Sequence, residues 1–260
     1  MIGSALGYTF SATSADPAVR ALVRDLFAEF EREDPHEVKQ PFVLPGDDVG
    51  LDEAIAALAT TINIGAIVAS AGALLLHAGA VAASDGRTAI LCGPSGSGKS
   101  TLTAILVGRG LCYLTDETVH LDPLTLRITP YRKPISVKPG SHEVLKHLRP
   151  SDGSPSAAWT SGATWHLPPR QLGGPAMPEA PLLPRLLVFP TYRSGAPLQL
   201  EKLGNGEAAH LLGGNSSQLK ALDRPLEALD RLARRAPAYR LVHGDVQQAA
   251  DAVERLLESA

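Results

Sequence analysis

Apolar positions along the chain first recur with a helical period. In SADPAVRALVRDLFAEFERED they fall at Val19, Leu22, Val23, Leu26, Phe27 and Phe30, one face of an amphipathic helix that starts where Ser or Asp precedes Pro17. EVKQPFVLPGDD reads as an extended segment and turn, and LDEAIAALATTINIGAIVASAG as a second, largely buried helix. From ALLLHA onward the apolar runs shorten. GAVAASDGRTAILCG sets Asp85-Gly86 between two of them, the signal for a hairpin with a primed turn. CYLTDETVHLD and LRITPYRKPISV continue as strands. Residues 149–181 are dense in Pro, Gly and Ser and cannot hold long regular elements. Beyond them PRLLVFPTYR is a strand, GEAAHLLGGNSSQ a short helix, and RPLEALDRLARRAP a helix with Leu226, Leu229 and Leu232 on one side. AYRLVHGDVQQAADAVERLL closes as a strand, an Asp245 cap and a final amphipathic helix. The fold class is α/β.

Composition narrows the partners. The chain has 260 residues, 44% of them apolar, and a net charge of -3, with arginines scattered apart from short pairs such as Arg234 and Arg235. That charge balance argues against a nucleic-acid partner. Cys92 and Cys112 are too few for a disulfide framework or a cysteine-rich metal site, and both lie in apolar runs suited to buried thiols, which fits a reducing cytoplasm. MIGSALGYTF lacks a positive segment followed by an apolar run, so no secretory signal is expected. From Ala54 to Ser84 no acidic or basic residue occurs, a length that could span a bilayer. The run is rich in Ala and Gly, carries Asn63 and His77, and has no Lys or Arg flank, so a buried helix followed by buried strands is expected instead of a membrane span.

The strongest local signal is GPSGSGKST, formed by Gly93, Pro94, Ser95, Gly96, Ser97, Gly98, Lys99, Ser100 and Thr101. It fits G-x-x-x-x-G-K-[ST], with an apolar run (TAILC) before it and a helical run (STLTAILVGRG) after it. Glycines let backbone N–H groups converge on phosphate oxygens, Lys99 adds a positive charge, and Ser100 offers a hydroxyl to Mg2+ at a helix start. This pattern predicts binding of a nucleoside triphosphate. It does not name a reaction.

The next strand carries Asp116 and Glu117 at its end, where one carboxylate can reach a metal and the other an attacking hydroxyl. His77 ends the strand ALLLH, and the hairpin after Gly79 returns the chain to the glycine-rich loop. An imidazole there could hold a carboxylate or a phosphoryl oxygen in place.

The order HAGAV, GPSGSGKSTL, GLCYLTDETVHLD, YRKPISVKPGS resembles the catalytic domain of the HPr kinase/phosphorylase family and its smaller relatives, among them kinases encoded with lasso-peptide and other peptide-maturation genes. The likeness is good over residues 74–140 and looser at the ends. It implies a P-loop kinase core related to phosphoenolpyruvate carboxykinase, a mixed sheet with flanking helices. The domains it implies are residues 1–72, packed on the core, and a catalytic domain over 73–260 with the Pro/Gly-rich excursion at 149–181. By this resemblance Gly93 to Thr101 bind ATP and Mg2+, Ser100, Asp116 and Glu117 meet the metal, and His77 supports the catalytic carboxylate beside Lys99. The acceptor it implies is a hydroxyl, a serine of a peptide or small protein, with a peptide natural-product precursor in view, and it raises a homo-oligomer because the bifunctional relatives are hexamers. Two departures matter. The family's acidic pair is usually two aspartates, so either Asp116 or Glu117 is the base, and its Glu-x-Arg-Gly-x-Gly pattern is replaced by ISVKPGSHEV with Ser136 at the glutamate. That weakens phosphorolysis and HPr itself as expectations and leaves Lys138 and Arg132 as the positive charges for phosphate or an acidic acceptor. A small-molecule kinase, and a nucleotide-dependent regulatory module without phosphotransfer, are the alternatives.

Overall fold

The computed structural model describes residues 1–32, 42–44, 50–149 and 159–260. They form two compact units, Met1–Ser70 with Arg132–Leu172, and Ala71–Tyr131 with Gly173–Ala260.

The first unit opens with β1 (Ile2–Ala5) and β2 (Tyr8–Thr13), an antiparallel hairpin that the sequence pattern does not predict. Its two-residue turn puts Leu6 at φ 49° and Gly7 at φ 87°, the primed geometry that matches strand twist. Then α1 (Pro17–Leu26) runs as expected, with the Asp16 carboxylate accepting from the Ala18 N–H at 2.7 Å and Val19, Val23 and Leu26 buried. β3 (Phe42–Val43) pairs parallel to β2, and most of the predicted extended segment around it lies outside the described residues. α2 (Leu51–Ala69) buries one stripe, Ala54, Ile55, Leu58, Ile62 and Ala66, while Ile64 and Val68 are exposed, so it is a one-sided helix and not the largely buried one expected. By length and composition α2 could cross a membrane. The uncharged run is nonetheless divided, because the helix ends at Ala69 and a strand starts at Leu74.

That strand, β4 (Leu74–Ala82), belongs to the second unit and forms a hairpin with β5 (Arg87–Cys92). The turn is not primed. The Gly86 N–H donates to Ala83 O at 3.0 Å and only Gly86 has positive φ (83°), the pattern of an ordinary turn closed by a left-handed glycine. After the glycine-rich loop come α3 (Lys99–Gly108), β6 (Cys112–Thr115), β7 (Thr118–Leu121) and β8 (Ile128–Thr129).

The chain then returns to the first unit for β9 (Ile135–Val137), β10 (Trp159–Ser161) and β11 (Thr164–Leu167), a sheet ordered β10-β11-β9. Residues 132–172, grouped by sequence with the C-terminal domain, therefore belong with the N-terminal unit, where the Trp159 indole N–H donates to the Asp52 carboxylate of α2 at 2.7 Å. Within the Pro/Gly-rich excursion, residues 150–158 lie outside the described residues.

The second unit is completed by β12 (Leu183–Tyr192), β13 (Gln199–Leu203), α4 (Asn205–Gly214), β14 (Ser216–Ser217), α5 (Pro225–Arg235), β15 (Ala238–His243) and α6 (Val246–Glu258), the last capped by Asp245 as predicted. Its sheet runs β13-β15-β12-β5-β4-β7-β8, with β6 and β14 also on β4. β5, β12 and β15 are parallel and the other pairs antiparallel, a mixed sheet. Even-numbered residues of β4, Leu74 to Ala82, share a cluster with Ala208 and Leu212 of α4 and Leu229 and Leu232 of α5. Odd-numbered Gly79 faces Thr103 of α3. Alternation along one strand thus separates α4 and α5 from α3, and α3 packs on α6. The result is a mixed α/β unit with helices flanking the sheet. Of the predicted stripe on α5, Leu229 and Leu232 are buried but Leu226, in the first turn of the helix, is 77% exposed.

Candidate active site

Three local features bring the predicted chemistry together in the second unit. The first is the glycine-rich loop. β5 ends buried at Cys92, whose thiol burial pushes up to about 12 and keeps inert. The chain then turns, with the Ser97 N–H donating to Pro94 O at 3.2 Å. Gly98 caps α3 at φ 95°, a left-handed conformation in which a side chain would be strained. This turns α3 sharply out of the loop, and Lys99 becomes its first residue, only 5% exposed. The Lys99 ammonium folds back to donate to Gly93 O (2.6 Å) and Pro94 O (2.9 Å). Ser100 follows in the first helical turn, while Pro94, Ser95 and Gly96 form the exposed crest.

The second feature is the β6–β7 junction. The Thr115 hydroxyl accepts from the N–H groups of Glu117 (3.2 Å) and Thr118 (3.3 Å), which bends the chain and presents the acidic pair. A register shift on β4 between Ala80 and Val81 lies beside this bend. Asp116 turns inward, 3% exposed, and accepts from the Tyr113 hydroxyl at 3.0 Å. Glu117 stays half-buried. Buried Tyr131 adjoins both carboxylates: burial first, then the charges of Glu117 and Asp116, hold its phenol well above the usual range and therefore protonated.

The third is β4 itself. Thr118 stands opposite His77, and the Ala78 N–H donates to Glu117 O at 3.1 Å, so the ladder places the imidazole next to the acid. His77 Nδ1 is 3.7 Å from Glu117 Oε1, and His77 Nε2 is 3.4 Å from Lys99 Nζ. An ammonium can only donate, so Nε2 is the acceptor and the ring proton belongs on Nδ1, facing Glu117. Burial and then the Lys99 charge lower the His77 pKa, against a smaller upward pull from Glu117, and this favours the same neutral tautomer. His77 is the fourth residue of a nine-residue strand rather than its end.

Along β4 the partners change at His77. Cys92 of β5 faces Ala78, and Ser216 of β14 faces Leu76. Between them β5 departs into the loop, and a cavity of about 340 Å³ opens there, lined by His77, Pro94, His210, Asn215, Ser216 and Ser217 among others.

The structure therefore brings His77, Lys99, Glu117 and Asp116 together around the loop. Arg132 and Lys138 belong to the first unit, where the Arg132 guanidinium pairs with Glu29 at 3.2 Å and Lys138 is exposed. Sequence reasoning missed Tyr113 and Tyr131, because nothing in the spacing announces that these phenols turn toward the acids. Among the described residues no group of three or more His, Cys, Asp or Glu forms a metal cage. Of the expected metal ligands, Ser100 lies in the first turn of α3 and Asp116 and Glu117 stand at the β6–β7 bend, oxygen donors of the kind Mg2+ takes. Compared with models of known protein families and with curated proteins, the chain matches none.

Proposed function

We propose that the chain is an ATP- and Mg2+-dependent kinase with a P-loop core, transferring the γ-phosphate to a hydroxyl, a serine of a peptide or small protein. The observation that carries this reading is the neutral His77 ring held between the Lys99 ammonium and the Glu117 carboxylate at the mouth of the glycine-rich loop. The resemblance to HPr kinase/phosphorylase points the same way.

In this reading the loop N–H groups and Lys99 cradle the β- and γ-phosphates. Mg2+, met by Ser100 and Asp116, supplies charge neutralisation when bound. Asp116 is the metal-side acid because it is buried and tied to Tyr113. Glu117, more exposed and faced by His77 Nδ1–H, is the base. As the acceptor oxygen bonds to the γ-phosphorus and the β–γ bridging bond breaks, the hydroxyl proton passes to Glu117. His77 orients that carboxylate and Tyr131 stays a neutral neighbour. Positioning and electrostatics carry the rate in such reactions, so the roughly 3–4 Å spacings here matter.

A small-molecule kinase is the second reading, favoured by the cavity beside His77, whose 340 Å³ lies at the lower end of ligand pockets and accepts one side chain or one compact molecule. The test is incubation with γ-labelled ATP and either candidate peptides or a metabolite extract, with mass spectrometry of the labelled species. Lys99→Ala should abolish labelling with the circular dichroism spectrum unchanged. Unchanged turnover in that variant rules the scheme out, and ATP binding without any labelled acceptor would favour a regulatory module.

A further inference from the structure

We propose that the base of the bound nucleotide stacks on the ring of Tyr192, with His243 as the positioning residue that holds that ring. This rests on reading Gly93–Thr101 as a triphosphate cradle, and it concerns the end of the nucleotide remote from the chemistry.

Sheet order gives the direction. β5, which carries the loop, has β4 with His77 on one side and the parallel strands β12 and β15 on the other. A terminal phosphate directed at His77, Lys99 and the acids requires the nucleoside to lead the opposite way. There β12 ends at Tyr192 and β15 at His243, paired in register. Ligands of parallel sheets lie outside the carboxyl ends of the strands, and these are the two carboxyl ends next to the loop.

Local contacts tie both residues to the cradle. The Tyr192 N–H donates to Ser97 O at 3.3 Å. A Cβ built on Gly98 would come within 3.5 Å of Tyr192 Cβ and 3.6 Å of His243 Nε2, so both side chains border the last glycine before Lys99. Tyr192 is 50% exposed, whereas Tyr113 and Tyr131 in the same unit are buried. His243 meets it at an angle, with centroids 5.7 Å apart and planes at 62°, so it does not stack flat on a phenol whose residue is half exposed.

His243 itself is 1% exposed, so packing fixes its ring and, through the contact between the rings, the Tyr192 phenol. Stacking uses the face of a base and does not read its edge, so ATP and GTP should bind within a few-fold of each other.

Titration calorimetry on the full chain with Mg2+ tests this, using ATP and inorganic tripolyphosphate as probes. Tyr192→Ala should weaken ATP by roughly 5- to 150-fold, the range for a lost base–aromatic stack. Its tripolyphosphate affinity should stay within about two-fold, since that probe has no base. Tyr192→Phe should bind ATP like the unaltered chain. His243→Ala should mimic Tyr192→Ala on ATP alone, and His243→Phe, which keeps an edge-on ring, should restore the affinity. Undiminished ATP binding by Tyr192→Ala, or equal loss of both probes, overturns the proposal while leaving the cradle intact. If the unaltered chain binds neither probe, the cradle reading itself is wrong and the stack falls with it.

Discussion

Gly79 offers the sharpest check on how the site is built. It lies on β4 two residues after His77, and a Cβ there would come 2.5 Å from Thr103 Oγ1 on α3. The next nearest atoms are Thr115 O at 3.7 Å and Leu91 Cβ at 3.8 Å, both ordinary contacts. One atom therefore accounts for the obstruction, and α3 would have to retreat by about 0.9 Å to relieve it. Overpacking of this kind costs about 1–3 kcal/mol, so Gly79→Ala should lose about that much stability in urea titrations followed by far-UV circular dichroism. It should also slow transfer, because α3 carries Lys99 and β4 carries His77. Thr103→Ala removes a buried hydroxyl that has no partner among the described residues, together with one methyl. Relief of an unpaired hydroxyl and loss of a methyl are each about 1 kcal/mol, so this single change should be close to neutral. The double variant should then recover most of the stability lost in Gly79→Ala, a coupling of about 1–2 kcal/mol between neighbours. Simple additivity of the two changes would refute the packing argument.

Further expectations concern the acids and the histidines. If the proposed transfer holds, Glu117→Gln, which keeps shape but cannot take a proton, should lower labelled transfer about 10²- to 10⁴-fold while ATP affinity is nearly kept; a Glu117→Gln variant of full activity would move the base elsewhere. His77, His120 and His243 all have pKa values lowered mainly by burial, so the unfolded chain binds their protons first. Their contribution to stability is complete above the unfolded value near 6.5 and is lost as pH falls from there toward the folded values. Denaturant midpoints should drop between about pH 6.5 and 5, and transfer should fall in the same direction as His77 gains a proton and stops accepting from Lys99. A stability maximum on the acid side of that window would contradict the assignment of buried neutral rings.

How much of this was legible depends on distance along the chain. The loop, its strand and helix, and the acidic bend all fall within residues 87–117, and their signals are local: glycine spacing, a lysine, two carboxylates after an apolar strand. The Asp16 and Asp245 caps were readable for the same reason. The β1–β2 hairpin was not, because Leu6 occupies a left-handed position for which leucine is no marker. α2 misled through composition, since an Ala-rich helix with Ile64 and Val68 outward looks the same in sequence as one buried all round. Arg132 reads as a free positive charge until the fold brings Glu29 to it. Tyr192 and His243 carry no motif; only the order of strands in the sheet makes them neighbours of a loop about 100 and 150 residues earlier.

β4 exchanges hydrogen bonds with four other strands, two on each flank. Adding or removing one residue upstream of His77 within this strand would swing the imidazole to the face lined by α4 and α5, and no neighbouring strand could slide to compensate without breaking its own ladder. Variation in length is thus channelled into the connections, and the weave of the sheet keeps the imidazole on the side of the strand from which it can meet the ammonium.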